Sequence, residues 1–147
     1  MESRQILTAL EEQLRCYKRL AKLAQQQHEY VKQSQTEQLL EVLARRQVEL
    51  EQIAELEKTI SPAKRAWSKF LPTLSAADAE RAQMLLNHVR ELLAQITESD
   101  KDDALVLQQR KINVGRQLGK AAIGQKVTQS YAAAAYGKRS STMDITR

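Results

Sequence analysis

The amino-acid sequence predicts an all-α protein: an elongated antiparallel bundle of three long helices, with a short linking helix and a flexible C-terminal tail. Three observations lead there. Leu and Ala supply 19 residues each of the 147 and Gln another 17, a composition that favours helix. Only four Gly and two Pro punctuate the chain, the Gly all at or beyond Gly115 and the Pro at 62 and 72. A β-sandwich or barrel needs turn residues at regular spacing, and a doubly wound α/β fold needs repeated β-rich runs. Third, the apolar residues recur at helical period over long stretches. The length fits one domain. No apolar run approaches the roughly 20 residues of a membrane span, and the opening Met1-Glu2-Ser3-Arg4 has no apolar secretory core. A lone Cys16 cannot form an internal disulfide. These points lead to the expectation of a cytoplasmic protein.

The first helix is expected from about 4 to 33, with Ser3 as its cap. Leu7, Leu10, Leu14, Tyr17, Ala21, Ala24, His28 and Val31 step by three and four, which is an a/d seam. Ile6, Leu20 and Leu23 widen it, so the helix meets more than one neighbour. The seam weakens at residues 32–37. Ser34 with Glu37 three residues on reads as a capping box, opening a second helix that returns antiparallel over 36–60. Its apolar set is Leu39, Leu40, Leu43, Leu50, Ile53, Leu56 and Ile60. No Gly or Pro breaks residues 4–60, so one continuous helix paired with another chain, a homodimer, stays open.

Ser61-Pro62 reads as N-cap and first residue of a short basic helix, 62–71, carrying Trp67 and Phe70 and stopping before Pro72. Trp67 and Phe70 fit a cover over one end of the core, or an interface anchor. Ser75 then starts the last long helix, 75–123, with Asp78 well placed in its first turn. Its face is Ala82, Leu86, Val89, Leu93 and Ile96. Ser99 to Asp103 interrupts that face with charge, and Leu105, Leu107, Ile112, Val114 and Leu118 resume it. The bundle thus covers 1–124 and a basic tail 125–147. Residues 110–147 carry eight basic and one acidic group, which accounts for the net charge of +5.

Catalytic and metal chemistry are not expected, and no cofactor is implied. His28 reads as a packed seam residue. His88 with Glu91 reverses the order of a di-iron motif and has no second copy. Residues 119–127 fail as a phosphate loop, because Gln125 separates Gly124 from Lys126 and Val127 follows the lysine. Cys16, beside the seam, reads as partly buried and without a role.

The resumed face of the last helix is the candidate binding surface. If the other helices end sooner, Leu105, Leu107, Ile112, Val114 and Leu118 lack intramolecular partners, and exposed apolar patches of that kind mark binding sites. Packing against helix one or two as ordinary core is the alternative. In the tail, sparse charge without a recognition motif argues against nucleic acid. Dense basic clusters with apolar anchors, which membranes favour, are missing. Tyr131 and Tyr136, among small residues, favour docking on a protein partner.

Several stretches carry a resemblance: Leu-Ala-Lys-Leu-Ala-Gln-Gln-Gln at 20–27, the Gln/Thr-rich turn into Thr-Glu-Gln-Leu-Leu-Glu-Val-Leu at 36–43, Arg-Arg-Gln-Val-Glu-Leu at 45–50, and a loose tail with Tyr136-Gly137. Together they resemble flagellar export chaperones of the FlgN type. The resemblance implies a type III secretion chaperone of the bacterial flagellum. Such a chaperone holds the C-terminal segments of hook-associated proteins and delivers them to the cytoplasmic domain of the membrane export gate. It further implies that a tail tyrosine, Tyr136 or Tyr131, engages that gate. The Ala-rich run before Tyr136 departs from the family pattern. Two readings of other classes remain open: a self-associating coiled-coil scaffold and a basic helical nucleic-acid-binding protein.

Overall fold

The structure is a computed structural model that describes residues 2–118, with side chains through residue 113. The expected tail, 125–147, and the end of the last helix beyond 118 lie outside the described residues. Every element among the described residues is helical. α1 spans Glu2–Lys32, α2 Thr36–Arg65, α3 Trp67–Phe70 and α4 Ala76–Leu118, with a single 3-10 turn at Leu71–Thr73 before α4. At 1.5 Å per residue the three long helices measure about 46, 45 and 65 Å.

The boundary between α1 and α2 is a tight turn, so residues 4–60 are not one continuous helix. Its chemistry differs from the capping box expected from Ser34 and Glu37. Gln35 donates its backbone N–H back to the Tyr30 carbonyl (2.9 Å) and Ser34 donates to that of Val31 (3.2 Å). Ser34 sits in the left-handed region at φ 58°. This is a Schellman closure of α1, with Ser34 in the place glycine usually takes. Ser34 therefore ends one helix rather than starting the next, and Gln35 is the N-cap of α2 without a side-chain hydrogen bond. Ser3, likewise, lies inside α1 rather than capping it.

Pro62 does not begin a new helix. α2 runs through it to Arg65. Proline removes the backbone bond to the carbonyl four residues back and strains the turn. Here Ile60 and Ala63 on either side are buried, and their burial holds the last turn in place. The helix breaks only at Ala66, and the linking helix is α3. At α4 the expected cap is present: the Asp78 backbone N–H donates to Ser75 Oγ at 3.1 Å.

α1 packs along both α2 and α4, while α2 and α4 stand apart from each other at the backbone level. Paired residues give the directions. Gln13 meets Glu57 and Gln27 meets Arg46, so α2 runs against α1. Gln27 meets Asp100 and Arg110 meets Lys32, so α4 runs with α1. The main apolar core joins Leu10, Leu14, Tyr17 and Leu20 of α1 to Leu50, Ile53 and Ile60 of α2 and to Ala82, Leu85, Val89 and Ile96 of α4. A second, smaller cluster of Val31, Leu39 and Leu43 lies at the turn end. Trp67 covers the main core, its indole donating to Gln83 Oε1 at 2.8 Å.

Two core positions differ from the seam. Leu40, expected inside, is 45% exposed, and Val42 takes the inner place. In α1 the buried residue between Ala24 and Val31 is Gln27, not His28, which is half-exposed. Buried polar partners, described next, draw Gln27 inward.

Candidate functional site

The sequence sets α4 apart as the longest helix, and apolar residues meet solvent along its distal stretch, as Leu40, Val48 and Met84 do singly elsewhere. Leu105 is 72% exposed and Ile112 39%. They lie seven residues apart, two helical turns, and therefore share a face. Val106 beside them is exposed as well. Leu107 points the other way and is partly buried against Val31, Leu39 and Leu43. Within the predicted set, Leu105 and Ile112 thus stand open, whereas Leu107 belongs to the packed side of the helix. The side chains of Val114 and Leu118, and Tyr131 and Tyr136 entirely, lie outside the described residues.

Arg110 marks where α4 leaves the hairpin. Its Nη2 donates to the carbonyl of Lys32, the last residue of α1, at 3.2 Å. That carbonyl is an orphan of the α1 C-terminus, and a cation there also suits the helix dipole. Beyond Arg110 the helix continues for two more turns to Leu118.

Just before this exposed stretch, four buried polar side chains tie the three long helices together. Arg46 of α2 is 2% exposed and Asp100 of α4 is 0%. The guanidinium meets the carboxylate in a two-pronged pair, with Nη1 to Oδ1 and Nη2 to Oδ2 both at 2.8 Å. Gln27 of α1 completes it. Its Oε1 accepts from Arg46 Nη1 at 2.6 Å, and its Nε2 donates to Asp103 Oδ2 at 2.9 Å and to Asp100 Oδ1 at 3.4 Å. The amide orientation follows from these partners, because only its oxygen can face a guanidinium and only its NH2 can face carboxylates. His28 Nδ1 lies 2.8 Å from Asp103 Oδ1. Burial raises the Asp103 carboxyl above its ordinary range, against the opposing hydrogen bonds from His28 and Gln27. Arg46 Nε has no partner among the described residues.

In sequence, Ser99 to Asp103 reads as a charged interruption of the α4 face. The structure buries two of those charges at positions continuing the Ile96 face by four and seven residues. A signal was available. Arg46 sits between Leu43 and Leu50 at core spacing, and Gln27 sits between Ala24 and Val31 at core spacing. Polar residues at inward positions of two antiparallel helices, at one depth, ask for a polar partner on the third.

Cys16 is fully buried, and burial pushes its thiol up, with Arg19 Nη2 donating to Sγ at 3.3 Å. Such a thiol is a packing group, not a nucleophile. Among the described residues no cluster of His, Cys, Asp or Glu is arranged to hold a metal ion. No helix among them is long and apolar enough to cross a membrane. What the arrangement offers is a rigid helical frame from which one helix projects an apolar edge. No family model, curated protein or solved structure matches this chain.

Proposed function

We propose that this protein is a cytoplasmic flagellar export chaperone of the FlgN type, which holds the C-terminal segments of hook-associated proteins and brings them to the export gate. The observation that carries the reading is the open apolar edge of α4, Leu105 and Ile112, on a helix that outlasts the α1–α2 hairpin. An elongated antiparallel bundle is the frame that suits this role. Segments of coiled-coil filament proteins are amphipathic, and such a helix lays its apolar stripe against a complementary one through anchors at i, i+3, i+4 and i+7. Binding of this kind needs no nucleotide and no catalytic residue. In this reading Leu105 and Ile112 form the client side of α4, while Leu107 faces the bundle. Tyr136, with Tyr131 near it, serves the gate, where an aromatic ring with a hydroxyl makes a strong anchor.

The two roles separate by experiment. Tyr136→Ala should leave the helical content and the affinity for a hook-associated C-terminal segment unchanged, while weakening binding to the cytoplasmic domain of the gate and slowing client export. A Tyr136→Ala protein that binds the gate as tightly as wild type, or that loses the client, contradicts this division.

A further inference from the structure

The gap between α2 and α4 is an open groove of about 1250 Å³. Two polar links join its flanks, the first between residues that line it. In one, Trp67 Nε1 donates to Gln83 Oε1 at 2.8 Å, and in the other Arg46 reaches from α2 to Asp100. Between them α4 lines the groove from Gln83 to Lys101, a run of about 27 Å or five helical turns. Ala54 and Pro62 of α2 and Leu86, Val89, Leu93 and Ala94 of α4 supply its apolar surface.

The charges around it are lopsided. Lys58, Lys64, Arg65, Arg90 and Lys101 line it against only Glu57 and Glu98. Glu57 is buried and pairs with Lys64 at 2.8 Å, so those two charges cancel each other. Lys58 has only an exposed contact to Glu55, of little energetic weight. Arg65, Arg90 and Lys101 have no ion-pair partner among the described residues. An apolar trough with cations on both walls suits an apolar stripe flanked by carboxylates.

We infer that this groove docks an acidic amphipathic helix of about five turns from another protein, a site separate from the client edge of α4. The chain's own segments have the wrong sign for it. Residues 119–147 carry Lys120, Lys126, Lys138, Arg139 and Arg147 against Asp144 alone. The distal part of α4 in a second copy, residues 105–118, carries Arg110, Lys111 and Arg116 and no acid.

The test uses the full chain and two synthetic helical peptides with the same leucine stripe, one flanked by glutamates and one by lysines. Fluorescence anisotropy should show the glutamate peptide binding at least about tenfold more tightly than the lysine peptide. Arg65→Glu, Arg90→Glu and Lys101→Glu together should reverse that preference. Ala94→Trp, which fills the groove from an exposed position, should weaken the glutamate peptide by a similar factor. Equal affinities, no binding, or indifference to Ala94→Trp overturns the proposal. So does a wild-type dimer that Ala94→Trp dissociates, which would make a second copy the occupant. A spin label on Tyr136→Cys that broadens the Ala94 amide without peptide would make the tail the occupant. The buried Cys16 leaves that label site-specific.

Discussion

Arg46 and Asp100 form a two-pronged ion pair, both prongs 2.8 Å long, with neither side chain reaching solvent. It is the direct tie between α2 and α4, which otherwise contact each other little. Desolvating two charges costs about as much as their attraction returns, so such a pair fixes register more than it adds stability. Breaking one half is another matter. Asp100→Ala strands a buried guanidinium and should lower unfolding free energy by about 3–5 kcal/mol. Arg46→Met with Asp100→Leu should recover most of that loss. Urea titrations of the three proteins, followed by the fluorescence of the lone Trp67, give the comparison. A double variant as unstable as Asp100→Ala would show that the pair contributes net stability.

Ser34 holds φ 58° where α1 closes. A side chain with a Cβ is strained there by about 1 kcal/mol, and glycine is not. Ser34→Gly should therefore raise the urea midpoint with an unchanged slope. A lower midpoint would mean that the Ser34 side chain contributes to the turn.

Asp103 sets a pH dependence. Its folded pKa is raised, chiefly by burial. Between the unfolded value, near 3.9, and the raised folded value, the folded state binds more protons than the unfolded one. The contribution is thus fully present below the unfolded pKa and lost as pH rises through the folded pKa. Asp103→Asn removes this slope. The stability difference between Asp103→Asn and wild type should shift in favour of the variant as pH rises from 3 to 7. A difference that stays constant over that range would show that Asp103 titrates at its ordinary value.

Cys16 should react with aromatic disulfides only as fast as the protein unfolds, because the thiol is buried and its pKa raised. Rapid labelling in native buffer would show that α1 opens locally.

The helical class, the seam of α1 and the Ser75 start of α4 were legible because each rests on local signals: period, composition and a capping hydroxyl. The other elements depend on backbone geometry or on tertiary packing that residue types alone do not show. Pro62 reads as a helix start until the burial of Ile60 and Ala63 is known. Ser34 reads as an N-cap because its hydroxyl fits that role, whereas its backbone angle, set by the closing turn, decides otherwise. Asp100 and Asp103 read as solvated charge because Gln27 and Arg46 lie more than fifty residues away on other helices. Leu105 and Leu107 differ by two positions and look equivalent in sequence; only the packing of Val31, Leu39 and Leu43 separates the partly buried from the open one.

The open edge of α4 is proposed to take up an amphipathic client helix. Isothermal calorimetry of a hook-associated protein's C-terminal segment against wild type and against Leu105→Asp with Ile112→Asp tests it most directly. Both substituted side chains are exposed, so the variant should fold as wild type does. Wild type should bind with a negative heat-capacity change, and the variant with an affinity lowered by at least about tenfold, a loss of about 1.4 kcal/mol. Equal affinity for the two proteins would contradict it.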